Sequence, residues 1–419
     1  MTANCHTDVA DDLQPSPENI VMDDEQRIGS RIATARKLRG LTQTQLADRA
    51  HVSASILRKV EQGQRPATSA LVTSVAAALR VDRAELTGQP YRSGDRRQDA
   101  VYDTVPDLRR ELIAYRLAPA EDGPVPTLDA LRGAVAGLSA ARHRVDLFDL
   151  GARLPAVLAD LRAASWSCTG PDREQVMGLL AEAYYAARQF LSKLGYSDLA
   201  VLVTDRYAWA AEQSGDPLAL ALAGVLRALD LDAAADRRAA RSVLESALGS
   251  WDSTDEDRAS IQVGGFLHLM AGYLAAHVGD ESGTWSHHAE AEALAIRLGR
   301  DEDAYRLAFG PTNVAIWGTA LGVELMDGPK AVAKAARVHL SSDVQPERAG
   351  HHYIDLARAQ LMNGDRPDAL YSLLTARKIA PQQTRYHPLA RDTVIALAKA
   401  GRRATTTVRS LATWMGIQD

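Results

Sequence analysis

The chain has 419 residues, 46% hydrophobic and 24% charged, with a net charge of −5 at neutral pH; that length allows two or three domains and a sizeable core. No run of 18 or more uncharged apolar residues occurs, and the N-terminus is acidic where a secretory signal would be basic and then apolar, so neither a membrane span nor a secretory signal is expected. Cys5 and Cys168 lack spaced partners, which excludes a disulfide scaffold and a thiolate zinc site and fits a reducing cytoplasm.

Residues 1–25 carry seven acids and no Lys or Arg, and Pro15 and Pro17 interrupt any apolar period, so this stretch reads as a disordered acidic tail. Met22 offers an alternative start. Residues 26–90 reverse the charge, with a balance of +7, leaving about −5 for residues 91–419. A basic module on an acidic body points to a polyanion-facing domain joined to something with another task. Basic patches are common on helices, so charge alone does not establish nucleic-acid binding.

Within the module, Ile28, Ile32, Ala35 and Leu38 give a first helix its apolar face. A second helix runs over Thr42–Ala50, with Leu46 and Ala50 inward and small Ala47 at a close crossing. His51 stands where a turn needs left-handed backbone, a position His tolerates better than most non-glycine residues. Val52 plugs the core, Ser53 is placed to cap a third helix with Leu57 and Val60 inward, and Gly63 ends it. Leu71, Val75, Ala78 and Leu79 line a fourth helix, and Arg83–Leu86 is a short fifth.

Leu41-Thr42-Gln43, Leu46-Ala47, Val52-Ser53, Ser55, Val60-Glu61-Gln62-Gly63 and Arg65-Pro66 together resemble the lambda-repressor-like (XRE) helix-turn-helix family. That resemblance implies a five-helix DNA-binding domain whose third helix reads the major groove of double-stranded DNA. It puts Ala54, Ser55, Arg58 and Lys59 on the reading face, with Arg58 the candidate for a bidentate contact to guanine. Gln43, Gln62, Gln64 and Arg65 are implied as backbone contacts. Glu61, costly beside DNA, is implied to pair structurally with an arginine of the first helix, Arg36. A solvated surface charge is the plainer reading for Arg58 and Lys59.

Residues 91–105 read as a polar linker and residues 106–419 as a helical body, so the chain is expected to be all-α. The clearest repeat unit is 350–383. Tyr353, Leu356 and Ala357 lie on its first helix, Asn363-Gly364-Asp365 make the turn, Ala369, Leu373 and Ala376 line its second helix, and Pro381 closes it. These offsets resemble a tetratricopeptide repeat, in which small residues let helices approach. Further inter-helix turns are expected near Gly195, Ala234, Gly279 and Gly328. The body therefore reads as a degenerate tetratricopeptide-like α-solenoid, with a plain helical bundle as the alternative.

Phe309-Gly310-Pro311-Thr312-Asn313-Val314 breaks the helical pattern: Pro311 fits a helix start and Thr312 a cap. Asn313 either caps its helix or offers a donor and an acceptor to a ligand. This stretch and the 350–383 unit resemble the C-terminal regions of actinobacterial helix-turn-helix regulators. The adjacent pairs His287-His288 and His351-His352 point about 100° apart on a helix and do not suit one metal. Trp166, Trp209, Trp251, Trp285 and Trp317 read as core or groove residues. No glycine loop for phosphate and no paired nucleophile and base occur, so no enzymatic activity, catalytic residue, metal or cofactor is expected.

A DNA-binding head on such a body resembles the peptide-sensing, quorum-sensing regulators of Gram-positive bacteria. The resemblance implies a cytoplasmic, nucleoid-associated homodimer on a palindromic operator, controlled by a peptide or small-molecule signal and without a membrane partner. The alternative is an adaptor whose solenoid recruits a protein partner while DNA binding is secondary.

Overall fold

The computed structural model describes residues 27–91, 99–119, 125–400 and 406–417; the expected acidic tail, with Cys5 and Met22, lies outside these. Helices α1 (Ile28–Leu38), α2 (Gln43–Ala50), α3 (Ala54–Glu61), α4 (Ser69–Leu79) and α5 (Arg83–Thr87) form the head. Thr42 starts α2 with a capping box, its side chain accepting from the Gln45 backbone while Gln45 reaches back to the Thr42 N–H. His51 adopts the left-handed backbone that the turn requires, with φ 52°. Ser53 occupies the cap position of α3, but its side chain makes no capping hydrogen bond. Leu46, Ala47, Ala50, Leu57 and Val60 are buried in one core with Ile28, Ile32, Leu71 and Val75. Gly29 lets α1 press on α3, since a Cβ there would sit 2.1 Å from the Val60 carbonyl oxygen.

Beyond the head, residues 92–98 of the expected linker lie outside the described residues. Packed structure begins again within the stretch read as linker. A 3₁₀ turn at Ala100–Thr104 leads into α6 (Val105–Ala114), and Val101, Tyr102 and Val105 are buried in the body. Then follow α7 (Leu128–Arg144), α8 (Leu147–Ser167), α9 (Gly170–Leu194), α10 (Ser197–Ser214), α11 (Pro217–Ala233) and α12 (Arg237–Ser250). The remainder is α13 (Arg258–His277), α14 (Glu281–Leu298), α15 (Pro311–Glu324), α16 (Gly328–Ala335), α17 (Pro346–Asn363), α18 (Arg366–Ile379), α19 (Pro381–Tyr386), α20 (Pro388–Ala400) and α21 (Thr406–Trp414). No strand occurs among the described residues.

The body is an α-solenoid of tetratricopeptide-like pairs: α9 with α10, α11 with α12, α13 with α14, α15 with α16, and α17 with α18. Left-handed residues make the turns, at Gly195, Ala235, Gly279, Met326 and Gly364. The fourth turn is thus built by Met326 rather than by Gly328, which opens α16. Ala357, Ala369 and Ala376 are fully buried where the last pair crosses. The apolar helix α13 is long enough to cross a membrane, yet 78% of its most apolar window is buried inside the protein.

The solenoid curls until its ends meet: α7 packs on α17, and α9 on α19. An ionic cluster fills that junction. Glu347, 1% exposed, takes Arg142 Nη1 at 2.7 Å, Lys193 Nζ at 3.0 Å and Arg348 Nη2 at 3.3 Å. The head is bonded to this body as well. Arg65 donates to the Met326 carbonyl at 2.6 Å, and the Ala70 N–H to Glu324 at 3.2 Å. Arg358 donates to the Ala67 carbonyl and to Glu324, and the Ile28 N–H to Asp392.

Candidate functional site

Helix α3, expected to face the DNA groove, presents Ser55, Arg58 and Lys59 to solvent, with Ala54 half-buried at its start. What fixes its orientation lies underneath. Arg36 donates Nε and Nη2 to the two Glu61 oxygens at 2.7 and 2.9 Å, and its Nη1 to the Leu41 carbonyl at 2.8 Å. The Glu61 bond raises the Arg36 pKa against the opposing effect of burial, so the guanidinium stays charged. Gln43 donates to the same carboxylate at 2.7 Å, and its amide oxygen accepts from Arg58 Nε at 3.4 Å. Glu61 thus aims Gln43, and Gln43 steers Arg58 along the exposed face.

The residues read as backbone contacts separate in the structure. Gln62 and Gln64 are exposed and free to reach outward, and Gln43 is half-buried. Arg65 turns away to the body, where burial lowers its pKa and the Met326 carbonyl takes its Nη2. That long-range bond carries no local sequence signal.

In the body, Asn313 is 3% exposed on the first turn of α15. Pro311 opens this helix as expected, but Thr312 is not its cap. Gly310 holds that position, and Asp301 Oδ1 accepts the Thr312 N–H at 3.0 Å. Gly310 is needed because a Cβ would meet Asp301 at 2.3 Å. Asn313 caps nothing: both its amide atoms are buried without a hydrogen-bond partner in the protein. They border a cavity of about 190 Å³ between the 301–308 loop, the start of α15 and residues 341–348. Tyr305, Arg306 and Ala308 in that loop hold positive φ of 50°, 60° and 53°, an energetic cost that the surrounding packing must sustain.

The cavity wall is tied to the ionic junction. Asp303 accepts from His143 Nε2 at 3.0 Å, and neighbouring Arg142 bonds both Glu347 and the Arg306 carbonyl. Burial pushes the Asp303 carboxyl up, but the His143 bond and the adjacent Arg142 outweigh it and hold the pKa down. Lys193, on the far side of Glu347, offers its carbonyl to Gln89 of the segment leaving the head, at 3.3 Å. Sequence reading singled out Asn313 through the Gly-Pro break and missed these partners, which sit 104 to 205 residues apart.

The other residues singled out take structural places. His288 Nε2 donates to the Val314 carbonyl, and His287 lies 3.1 Å from His268. Trp209 packs edge-on to Tyr115, and Trp285 lies under Lys330 and Lys334. Trp166 is 56% exposed and so lies outside the core.

The helix-turn-helix family model matches residues 32–86. Among solved structures, BtubC (BKLC) from P. vanneervenii is similar at 18% identity and TM-score 0.36, over 62% of this chain and 94% of that one. Bacillus thuringiensis PlcR, in complex with the peptide PapR7 and DNA, is 15% identical with TM-score 0.29, over 65% and 96%. The apo form of the competence regulator ComR from Streptococcus vestibularis is 12% identical with TM-score 0.27, over 94% and 100%. No curated protein matches the chain. The amino-terminal domain of this chain belongs to the XRE-type helix-turn-helix family.

Proposed function

We propose that this protein is a cytoplasmic, homodimeric transcription regulator that binds a palindromic operator through α3 and is controlled by a peptide or small-molecule signal held at Asn313. The observation that carries the reading is the solvent-facing α3, with Arg58 steered by the Arg36–Glu61–Gln43 network. Two such heads about 34 Å apart, or a multiple of that, would match the two halves of a palindrome. The Asn313 cavity and the head share one framework through Asp303, His143, Arg142, Glu347 and Lys193. A ligand that prefers one curvature of the body would bias the head through that framework by its differential affinity for two states.

The test is genome-wide DNA capture with the purified chain, with and without spent medium of its source organism. Enrichment of a few palindromic sites that the extract strengthens or weakens supports the reading. In the same assay Arg58→Ala is expected to lose about 1–3 kcal/mol of discrimination at one base pair in each half-site. Loss of affinity spread evenly over all sequences would make Arg58 a phosphate contact instead. If Arg58→Ala leaves both partner capture and phenotype intact, the adaptor reading replaces the regulator.

A further inference from the structure

The cavity at Asn313 has a chemical bias that the proposed function does not specify. Its amide Oδ1 and the Gln345 Oε1 are both buried acceptors without partners, and both residues line the same space. Four carboxylates border it, Asp301, Glu302, Asp303 and Asp343, against one cation, Arg348. Two of the four are already matched: Glu302 by Arg258 and Arg300, and Asp303 by His143 and Arg306. Arg348 is drawn to Glu347. Asp301 takes only the Thr312 backbone N–H, and Asp343 a Ser342 hydroxyl, which leaves their charge facing no cationic side chain.

Donors are present too, but fewer. Asn313 Nδ2 and Arg348 Nε are buried without partners. Ala308, Ile316 and Val344 supply an apolar wall. At about 190 Å³ the space exceeds the ~150 Å³ cavity known to hold a benzene-sized ligand, and a whole folded peptide would not enter it.

We propose that this cavity binds a guanidinium or ammonium head carried on a short apolar stem with a carbonyl beside it. The head donates to Asn313 Oδ1 and Gln345 Oε1 under the charge of Asp301 and Asp343. The carbonyl accepts from Asn313 Nδ2 and Arg348 Nε. The stem lies on Ile316 and Val344. An unpaired buried amide is costly, so a ligand that pairs both amide oxygens is favoured over one that displaces only water. This inference rests on the reading of the body as a sensor. The same chemistry arises from a free basic amino-acid derivative or from one basic side chain of a longer peptide.

Isothermal titration of the full chain with acetyl-arginine amide and with acetyl-Gly-Arg-Gly-amide separates those sources. Citrulline replaces arginine in each as the neutral, isosteric control. Both arginine probes are expected to bind at least about tenfold tighter than their citrulline counterparts, a difference of about 1.4 kcal/mol. A tighter tripeptide identifies the peptide source, and a tighter amide the free one. Asp343→Asn, an exposed substitution that leaves the core untouched, should remove most of the preference for arginine over citrulline. Asn313→Leu should abolish binding of both. Equal affinity for arginine and citrulline, unchanged arginine binding in Asp343→Asn, or no binding of any probe would overturn the proposal. Operator binding read in parallel keeps the two ideas apart. If spent medium still shifts operator binding in Asp343→Asn and Asn313→Leu, the signal-responsive DNA-binding regulator stands, while the signal site at Asn313 and with it the cation cavity fall. If arginine probes bind as expected while no operator is found, the cavity stands and the regulator falls.

Discussion

Replacing Glu347 with alanine is expected to lower the unfolding free energy by about 3–5 kcal/mol, the usual cost of removing one partner from a buried ion pair. The side chain is 1% exposed, and that of Arg142, its closest partner, is 3% exposed. Lys193 and Arg348 approach the other carboxylate oxygen. Without Glu347, three cations would face one another with no anion between them. Burial alone would raise the Glu347 pKa, but Lys193, Arg348 and Arg142 hold it well below the usual carboxylate range. The folded carboxylate therefore stays ionised, and its contribution is present at neutral pH and lost only as pH falls through that depressed value. Urea unfolding at pH 7.5 measures the cost. Glu347→Gln should lie between wild type and alanine, because the amide keeps an acceptor but not the charge. Adding Lys193→Met to Glu347→Ala should recover part of the loss, since it removes one of the stranded cations. A cost below about 1 kcal/mol would mean that water reaches the junction and screens it.

That junction also marks where sequence reading stops. The head was legible because its determinants are local. Thr42 and Gln45 lie three residues apart in a capping box, His51 sits at the left-handed position of the turn between α2 and α3, and Leu46, Ala47, Leu57 and Val60 follow the helical period. The Arg36–Glu61 pair came from the resemblance rather than from spacing, and the geometry matches it. In the body, Gly195, Gly279 and Gly364 announced their turns, whereas Met326 did not, because a left-handed methionine has no sequence signature. Asn313 stood out beside Gly310-Pro311, but its cavity mates on 341–348 come from a separate loop. Glu347 and Arg142, 205 residues apart, each look like one more solvated charge on a helix. Local sequence places Arg65 beside DNA backbone, while its carbonyl partner lies 261 residues away. Charges paired across a closed solenoid leave no periodic trace, so the pattern that reveals helix faces is blind to them.

The second large effect is acid sensitivity, and it arises one layer from the same junction. His351 and His352 lie on α17 and His387 at the α19–α20 corner, with the His351 and His387 rings 5.7 Å apart. Burial pushes His352 down to about 4 and, with Arg358 and Lys193 nearby, His387 down to about 3. Burial, Lys193 and Arg348 also hold His351 well below the ordinary value, against the opposing pull of Glu347. For a histidine with a depressed folded pKa, the unfolded chain binds the proton first. Stability is therefore full above the unfolded value of about 6.5 and falls as pH drops below it. At pH 5 His352 and His387 each cost about 2 kcal/mol and His351 acts in the same direction, so together they remove much of a marginal stability. Asp392 and Asp355, whose pKa values burial raises, work in the opposite sense, but only nearer the carboxylate range. His387→Asn isolates one contribution. His387 Nδ1 accepts the Ala390 N–H at the start of α20, and asparagine is a strong cap that does not titrate. The variant should match wild type within about 0.5 kcal/mol in urea unfolding at pH 7.5 and exceed it by about 2 kcal/mol at pH 5. Parallel curves at the two pH values would instead mean that His387 is protonated in the folded chain, stabilised by an anion near α20.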